Sequence, residues 1–296
     1  MMADWLEILR IRYLWWRNRR EIRCCERRVS CCLAAGGIEE ALEGLRLQQH
    51  WHWPFQVERL LFRRQSRPAD QVQSLNLLRG MAQMAELRAD HRFYARIALV
   101  HTALSLDDTE ILQQHIVPLT QQARLDLRDL SGLQGRQRNR EHPWKQLISA
   151  RACLLQWAMA DADRTLCSRI AAANLRLISA TSWRRLPADV LLRSVSNLIR
   201  GLLPLSFDGQ DQLPLLQGMQ VLQAELIKPR FRKVRQRAKE DHLAQLDAAV
   251  SLLQTLLVQG DSPDLRRRRL TLMLNSGSAS VLSGARRLWG ADPYPL

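Results

Sequence analysis

Apolar residues recur along most of this chain at intervals of three and four, the spacing that gathers them on one face of an α-helix. Leu191, Val195, Leu198 and Leu202 form one such stripe, and Leu243, Leu246, Val250, Leu253 and Leu257 form another. Runs of β-branched residues are rare, and no turn dipeptide flanked by alternating apolar positions marks a β-hairpin. The pattern predicts an all-α protein of about eleven or twelve helices, cut by prolines and by Asp or Ser caps.

Five regions follow from the punctuation. Residues 1–36 read as one long amphipathic helix stopped by Gly36-Gly37. Residues 37–130 form a first helical block. Within it Pro54 breaks the chain, and Pro68 opens a helix carrying Val72, Leu75, Leu78, Ala82 and Ala85 on one face. A helix after Asp90 carries Tyr94, Ile97, Ala98 and His101. Ser105 and Asp108 read as an N-cap with an acid three residues on, ahead of a helix kinked or interrupted at Pro118. Residues 131–143, with two glycines, a proline and Leu133 as their one large apolar residue, read as a linker. Residues 144–260 form a second block, with helices expected at 144–159, 163–178, 187–203, 213–227 and 243–258. Residues 261–296 hold a last helix from Pro263 to near Leu274, a polar stretch at 275–280 and a short tail around Trp289.

Helix pairs recur at about 35–45 residues, a spacing that resembles tetratricopeptide-like or HEAT-like arrays in architecture. The Gly-x2-Tyr and Ala-x3-Phe positions of a tetratricopeptide unit do not line up, so the resemblance stops at architecture. The expected fold is a helical-hairpin solenoid of that kind or an irregular helical bundle.

Charge changes the picture. The formal net charge of +15 is concentrated in three segments. Residues 1–34 carry eight arginines against Asp4, Glu7, Glu21 and Glu26. Residues 228–239 carry Lys228, Arg230, Arg232, Lys233, Arg235, Arg237 and Lys239 with no acid, and Arg266, Arg267, Arg268 and Arg269 are consecutive. The rest of the chain is balanced. Local positive charge of this kind points to an acidic or phosphate-bearing partner. On a helix starting at Pro229, the residues Phe231, Val234 and Ala238 make a narrow apolar strip with the cations fanned out on both sides.

The first helix has a second character. Ile8, Trp15, Ile22 and Val29 fall at one heptad position, and Ile11, Asn18, Cys25 and Cys32 at the other. With Trp5 and Trp16 this makes a helix-pairing or membrane-facing surface, and packing against protein, including a second copy, is the preferred expectation.

Catalytic and metal chemistry find little support. No phosphate-cradling glycine motif, H-E-x-x-H or paired C-x-x-C occurs. The Cys24-Cys25 and Cys31-Cys32 pairs lie seven residues apart, about 10.5 Å of helical rise, too far to share one zinc. His50 and His52 stand between tryptophans at a helix-to-turn junction, and Asp161-Ala162-Asp163 reads as helix capping. No catalytic residue, metal or cofactor is therefore expected. No stretch reaches the roughly 18 consecutive apolar residues of a membrane span, and the N-terminus lacks the flanks of a secretory signal. The sequence thus reads as a cytoplasmic, non-enzymatic helical scaffold that binds an acidic protein partner. Nucleic-acid binding through the same segments, or peripheral membrane attachment through the first helix, are the alternatives.

Overall fold

Helix α4, Pro143–Ala160, is apolar on nearly every side: Trp144, Leu147, Ile148, Ala150, Cys153, Leu154, Leu155, Ala158 and Met159 are all buried. A helix with that distribution must be surrounded, and α4 is the centre around which its unit is built. The structure is a computed structural model that describes residue 31 and residues 68–85, 89–123, 125, 143–179, 188–209, 212–229, 241–274 and 278–290. Ten α-helices and one 3-10 helix occur among them, and no strand. The expected helix over 1–36, the residues Trp5, Ile8, Ile11, Trp15, Trp16, Ile22 and Val29 on it, and the helices at 38–50 and 55–65 lie outside the described residues. So does the expected linker, apart from Pro143, which opens α4. The chain divides into two units, residues 1–99 and 100–296.

In the first unit, α1 is Pro68–Gln83 and buries Leu75, Leu78, Met81 and Ala82; Ala85 lies beyond its end and is exposed. The α2 helix, Ala89–Leu106, contributes Phe93 and Tyr94, whose rings meet edge to face at 5.0 Å.

In the second unit, Asp107 takes a left-handed conformation (φ 54°) and α3, Thr109–Ala123, begins. The cap is Asp108 itself, whose Oδ1 accepts from the Ile111 amide at 3.1 Å, while the Ser105 hydroxyl bonds back to the His101 carbonyl. The sequence-based assignment of the cap to Ser105 is thereby corrected. Ser105 sits inside the preceding helix, where its hydroxyl has a carbonyl four residues back to donate to. Pro118 does not interrupt α3, because Ile111, Ile116, Leu119 and Ala123 bury one continuous face across it.

The remaining helices close around α4. Asp163 caps α5, Arg164–Ser179, through the Leu166 amide at 2.9 Å, as expected from sequence. The α6 helix, Ala188–Leu202, buries all four of its predicted stripe, Leu191, Val195, Leu198 and Leu202. It tightens into a 3-10 helix at Leu203–Phe207, with Pro204 in its first turn. Then come α7, Gln212–Ile227, α8, Asp241–Gln259, and α9, Pro263–Leu274. Helix α4 packs against α3, α5 and α6, and α7 packs against α8.

The stretch expected as a short tail is a helix, α10, Ala279–Trp289. It packs on α4, far back along the chain, at a contact that excludes any side chain: a Cβ on Gly284 would lie 1.7 Å from the Met159 carbonyl oxygen. Ser280 Oγ donates to the Leu104 carbonyl at 2.7 Å, and Arg287 caps the end of α4 through the Ala160 carbonyl at 3.0 Å.

Candidate functional site

Two basic residues of the arginine run, Arg266 and Arg269, come together on Asp261, and Arg269 reaches from α9 to the 3-10 helix. The turn Gly260-Asp261-Ser262 leads into α9, and Gly260 adopts φ 75°. Ser262 Oγ accepts from the Leu265 amide at 3.3 Å, which fixes the start of the helix. Four consecutive arginines on that helix must point in different directions, and each has a different environment.

Arg266 is half exposed and donates from Nε to Asp261 Oδ2 at 2.6 Å. Arg267 is exposed, and its carbonyl accepts from Thr271 Oγ1 at 3.0 Å. Arg268 makes an exposed pair with Asp264, four residues earlier, at 3.0 Å. Arg269 is only 1% exposed. It donates to the other Asp261 oxygen and to the Ser206 carbonyl, and its guanidinium lies 4.3 Å from the centroid of the Phe207 ring. Phe207 in turn stacks on Trp289 at 4.8 Å. Burial pushes the Arg269 guanidinium below its usual range, and the Asp261 charge works against that shift. Arg269 Nε and Trp289 Nε1 are buried without a hydrogen-bond partner.

Arg269 therefore does not belong to a partner-binding surface; its cation is enclosed and bonded to the protein itself. Arg266 shares the same aspartate. Lys228, the one described cation of the other segment, pairs through Nζ with the carboxylate of Glu225, a buried acid one turn earlier. Arg230, Arg232, Lys233, Arg235, Arg237 and Lys239 lie outside the described residues.

Beside this knot sits a related one. Asp208, directly after the 3-10 helix, accepts from Arg164 Nε at 2.8 Å and from Ser168 Oγ at 2.5 Å, tying the start of α5 to the end of the 3-10 helix. Cys167 lies behind it, and burial, with Asp163 and Asp208 nearby, pushes its thiol up to about 12. Burial pushes the Cys153 thiol up as well, so both are protonated at neutral pH.

Deeper in the unit, Arg151 is fully buried. It donates from Nε to the Ala123 carbonyl at 2.9 Å and from Nη1 to Asn174 Oδ1 at 3.0 Å. Arg176 reaches the Leu125 carbonyl at 3.3 Å, so arginines from α4 and α5 grip the chain where α3 ends. Asn174 lies so close to α6 that a Cβ on Gly201 would meet its Nδ2 at 2.2 Å. Burial, helped by the Arg176 charge, pushes Arg151 down to about 10. His101 is pushed below its usual value by desolvation and by Arg200, against a hydrogen bond with Gln156.

Sequence reasoning missed Arg151, Asn174, Phe207, Asp208, Asp261 and Trp289. A signal existed for one of them: Arg151 is a cation set among Leu147, Ile148, Ala150, Ala152, Cys153 and Leu154 of α4. Among the described residues no cluster of three or more His, Cys, Asp or Glu side chains could hold a metal, and no helix is long and apolar enough to cross a membrane. No protein family, curated protein or solved structure matches the chain.

Proposed function

We propose that this chain is a non-enzymatic α-helical scaffold that binds an acidic protein partner through residues 230–239, in a cytoplasmic setting. The observation that carries the reading is the charge of that segment. Arg230, Arg232, Lys233, Arg235, Arg237 and Lys239 stand together in sequence with no acid among them, whereas Lys228, Arg266, Arg268 and Arg269 are ion-paired within the protein. The segment joins α7 to α8, two helices packed on each other. An anionic partner would relieve the repulsion among six neighbouring cations. An irregular bundle suits this reading better than a hairpin solenoid. The return of α10 to α4 is a contact between distant parts of the chain, and in a one-dimensional stack each repeat touches only its neighbours.

The test is a binding titration of the full chain against a polyglutamate peptide and against single- and double-stranded oligonucleotides, across a salt series. Polyglutamate should bind. The triple substitution Arg230→Glu, Lys233→Glu, Arg237→Glu should abolish that binding and leave the melting temperature nearly unchanged. Tighter binding to the oligonucleotides, with a log-log salt slope of about −4 to −6, would replace the acidic protein by nucleic acid. Retention of polyglutamate binding by the triple variant would remove the segment from the proposal.

A further inference from the structure

Arg151 and Arg269 show how this protein answers a buried guanidinium: the first donates to the Ala123 carbonyl and Asn174, the second to Asp261 and the Ser206 carbonyl. Arg200, in the last turn of α6, is treated differently. Its Nε is buried without an acceptor, and among the described residues no carboxylate pairs with it. An arginine at a helix end ordinarily meets the free carbonyls and the negative pole of the dipole there. Here α6 runs straight into the 3-10 helix at Leu203–Phe207, so its last turn is followed by further helix.

The neighbours of Arg200 are polar and neutral. His101, in the part of α2 that belongs to the second unit, lies within reach of the Arg200 charge and hydrogen-bonds to Gln156 of α4, the helix on which α6 packs. The three side chains come from three helices, and all three are partly open to solvent, whereas Arg151 and Arg269 are enclosed. With its Nε edge sealed, Arg200 is approached from the solvent side, at its Nη groups. A partly desolvated cation with no counter-charge is costly, and what relieves it is an anion. The flat fork of a guanidinium matches the paired oxygens of a carboxylate or a phosphate. The Gln156 amide and the neutral His101 ring each carry an N–H donor beside it.

We infer that Arg200, with His101 and Gln156, forms a binding site for an oxyanion, the carboxylate or phosphate group of a ligand. The inference is independent of the acidic-partner proposal, which uses residues 230–239.

The test is a titration of the full chain with phosphate and with acetate at neutral pH, followed by proton resonances of the histidine rings, with chloride at equal ionic strength as the control. The His101 resonance is the one that His101→Gln removes. It should shift saturably with the oxyanions and not with chloride. The ion that binds more tightly names the source of the group, phosphate or carboxylate. Arg200→Leu should weaken binding by about tenfold or more, the loss of a charge-assisted pair of hydrogen bonds. It should also leave the melting temperature in anion-free buffer unchanged or higher, because the protein does not answer that charge. Arg200→Gln gives the same reading if the leucine variant does not fold. Arg268→Gln and the triple substitution in 230–239 should leave the His101 shift in place. No saturable shift, an equal response to chloride, or binding that survives loss of the Arg200 charge would overturn the inference.

Discussion

The guanidinium of Arg269 lies over the ring of Phe207, 4.3 Å from its centroid, and fastens α9 to the end of the 3-10 helix. The same side chain holds Asp261 and the Ser206 carbonyl. Removing it leaves the Ser206 carbonyl without this donor, uncovers one face of Phe207, and leaves Asp261 to Arg266. Arg269→Ala should therefore lower unfolding free energy by about 2–3 kcal/mol, from the unsatisfied carbonyl and the lost packing. Arg268→Ala, which breaks an exposed pair with Asp264, should cost about 0.5 kcal/mol or less. Urea denaturation of the two variants checks the contrast; equal losses would contradict the arrangement.

Gly284 sets α10 directly against the Met159 backbone of α4. In Gly284→Ala the new methyl would overlap the Met159 carbonyl, which is backbone and cannot rotate away, so α10 must shift. A loss of about 1–3 kcal/mol is expected, accompanied by a change in Trp289 emission. Gly218→Ala is the control, because its methyl would meet only the tip of Leu175, a side chain able to turn. It should be nearly neutral, since the better helix propensity of alanine, about 1 kcal/mol, offsets the adjustment.

Arg151 and Asn174 should behave as one unit. Arg151→Leu leaves the Ala123 carbonyl and the Asn174 amide without their donor and should cost about 2–4 kcal/mol. In a double-mutant cycle with Asn174→Ala, the coupling should reach about 1 kcal/mol or more. Additive losses would mean that the two side chains act separately.

His101 should make stability depend on pH. Burial and Arg200 lower its pKa in the folded chain below the ordinary 6.5. Below pH 6.5 the unfolded chain takes up a proton that the folded chain refuses, so stability falls as pH falls, by up to about 1.4 kcal/mol per pH unit, until the folded pKa is reached. Above pH 6.5 this contribution is constant. Melting temperatures of the native chain and of His101→Gln, followed from pH 8 downward, should diverge only below pH 6.5. Parallel curves would assign the acid sensitivity to other groups.

Much of the fold was readable because it rests on local rules. The stripe Leu191, Val195, Leu198, Leu202 is buried throughout, and Asp163 caps the helix it precedes. Local rules fail where a distant contact decides. The short stretch around Trp289 looks like a tail because Gly284, Ser280 and Ser283 are poor markers of a helix. Its helical form depends on Met159 and Leu104, which sequence spacing does not bring near. The arginine run at 266–269 reads as a single patch, and it is the helical turn of about 100° per residue that sends Arg269 inward and leaves Arg268 in solvent. The aspartates that answer these cations lie a few residues upstream. Counting charges by segment, from 266 onward, leaves Asp261 and Asp264 out of the balance.

The docking of α10 on α4 also sets an order on biosynthesis. Helices α4 to α9 emerge before the helix that covers the Met159 carbonyl and stacks on Phe207 has been made. During that interval the nascent chain presents an open apolar seam, which is the kind of surface chaperones hold. Closure joins residues far apart in the chain, the kind of contact whose loop-closure entropy is paid before it is rewarded.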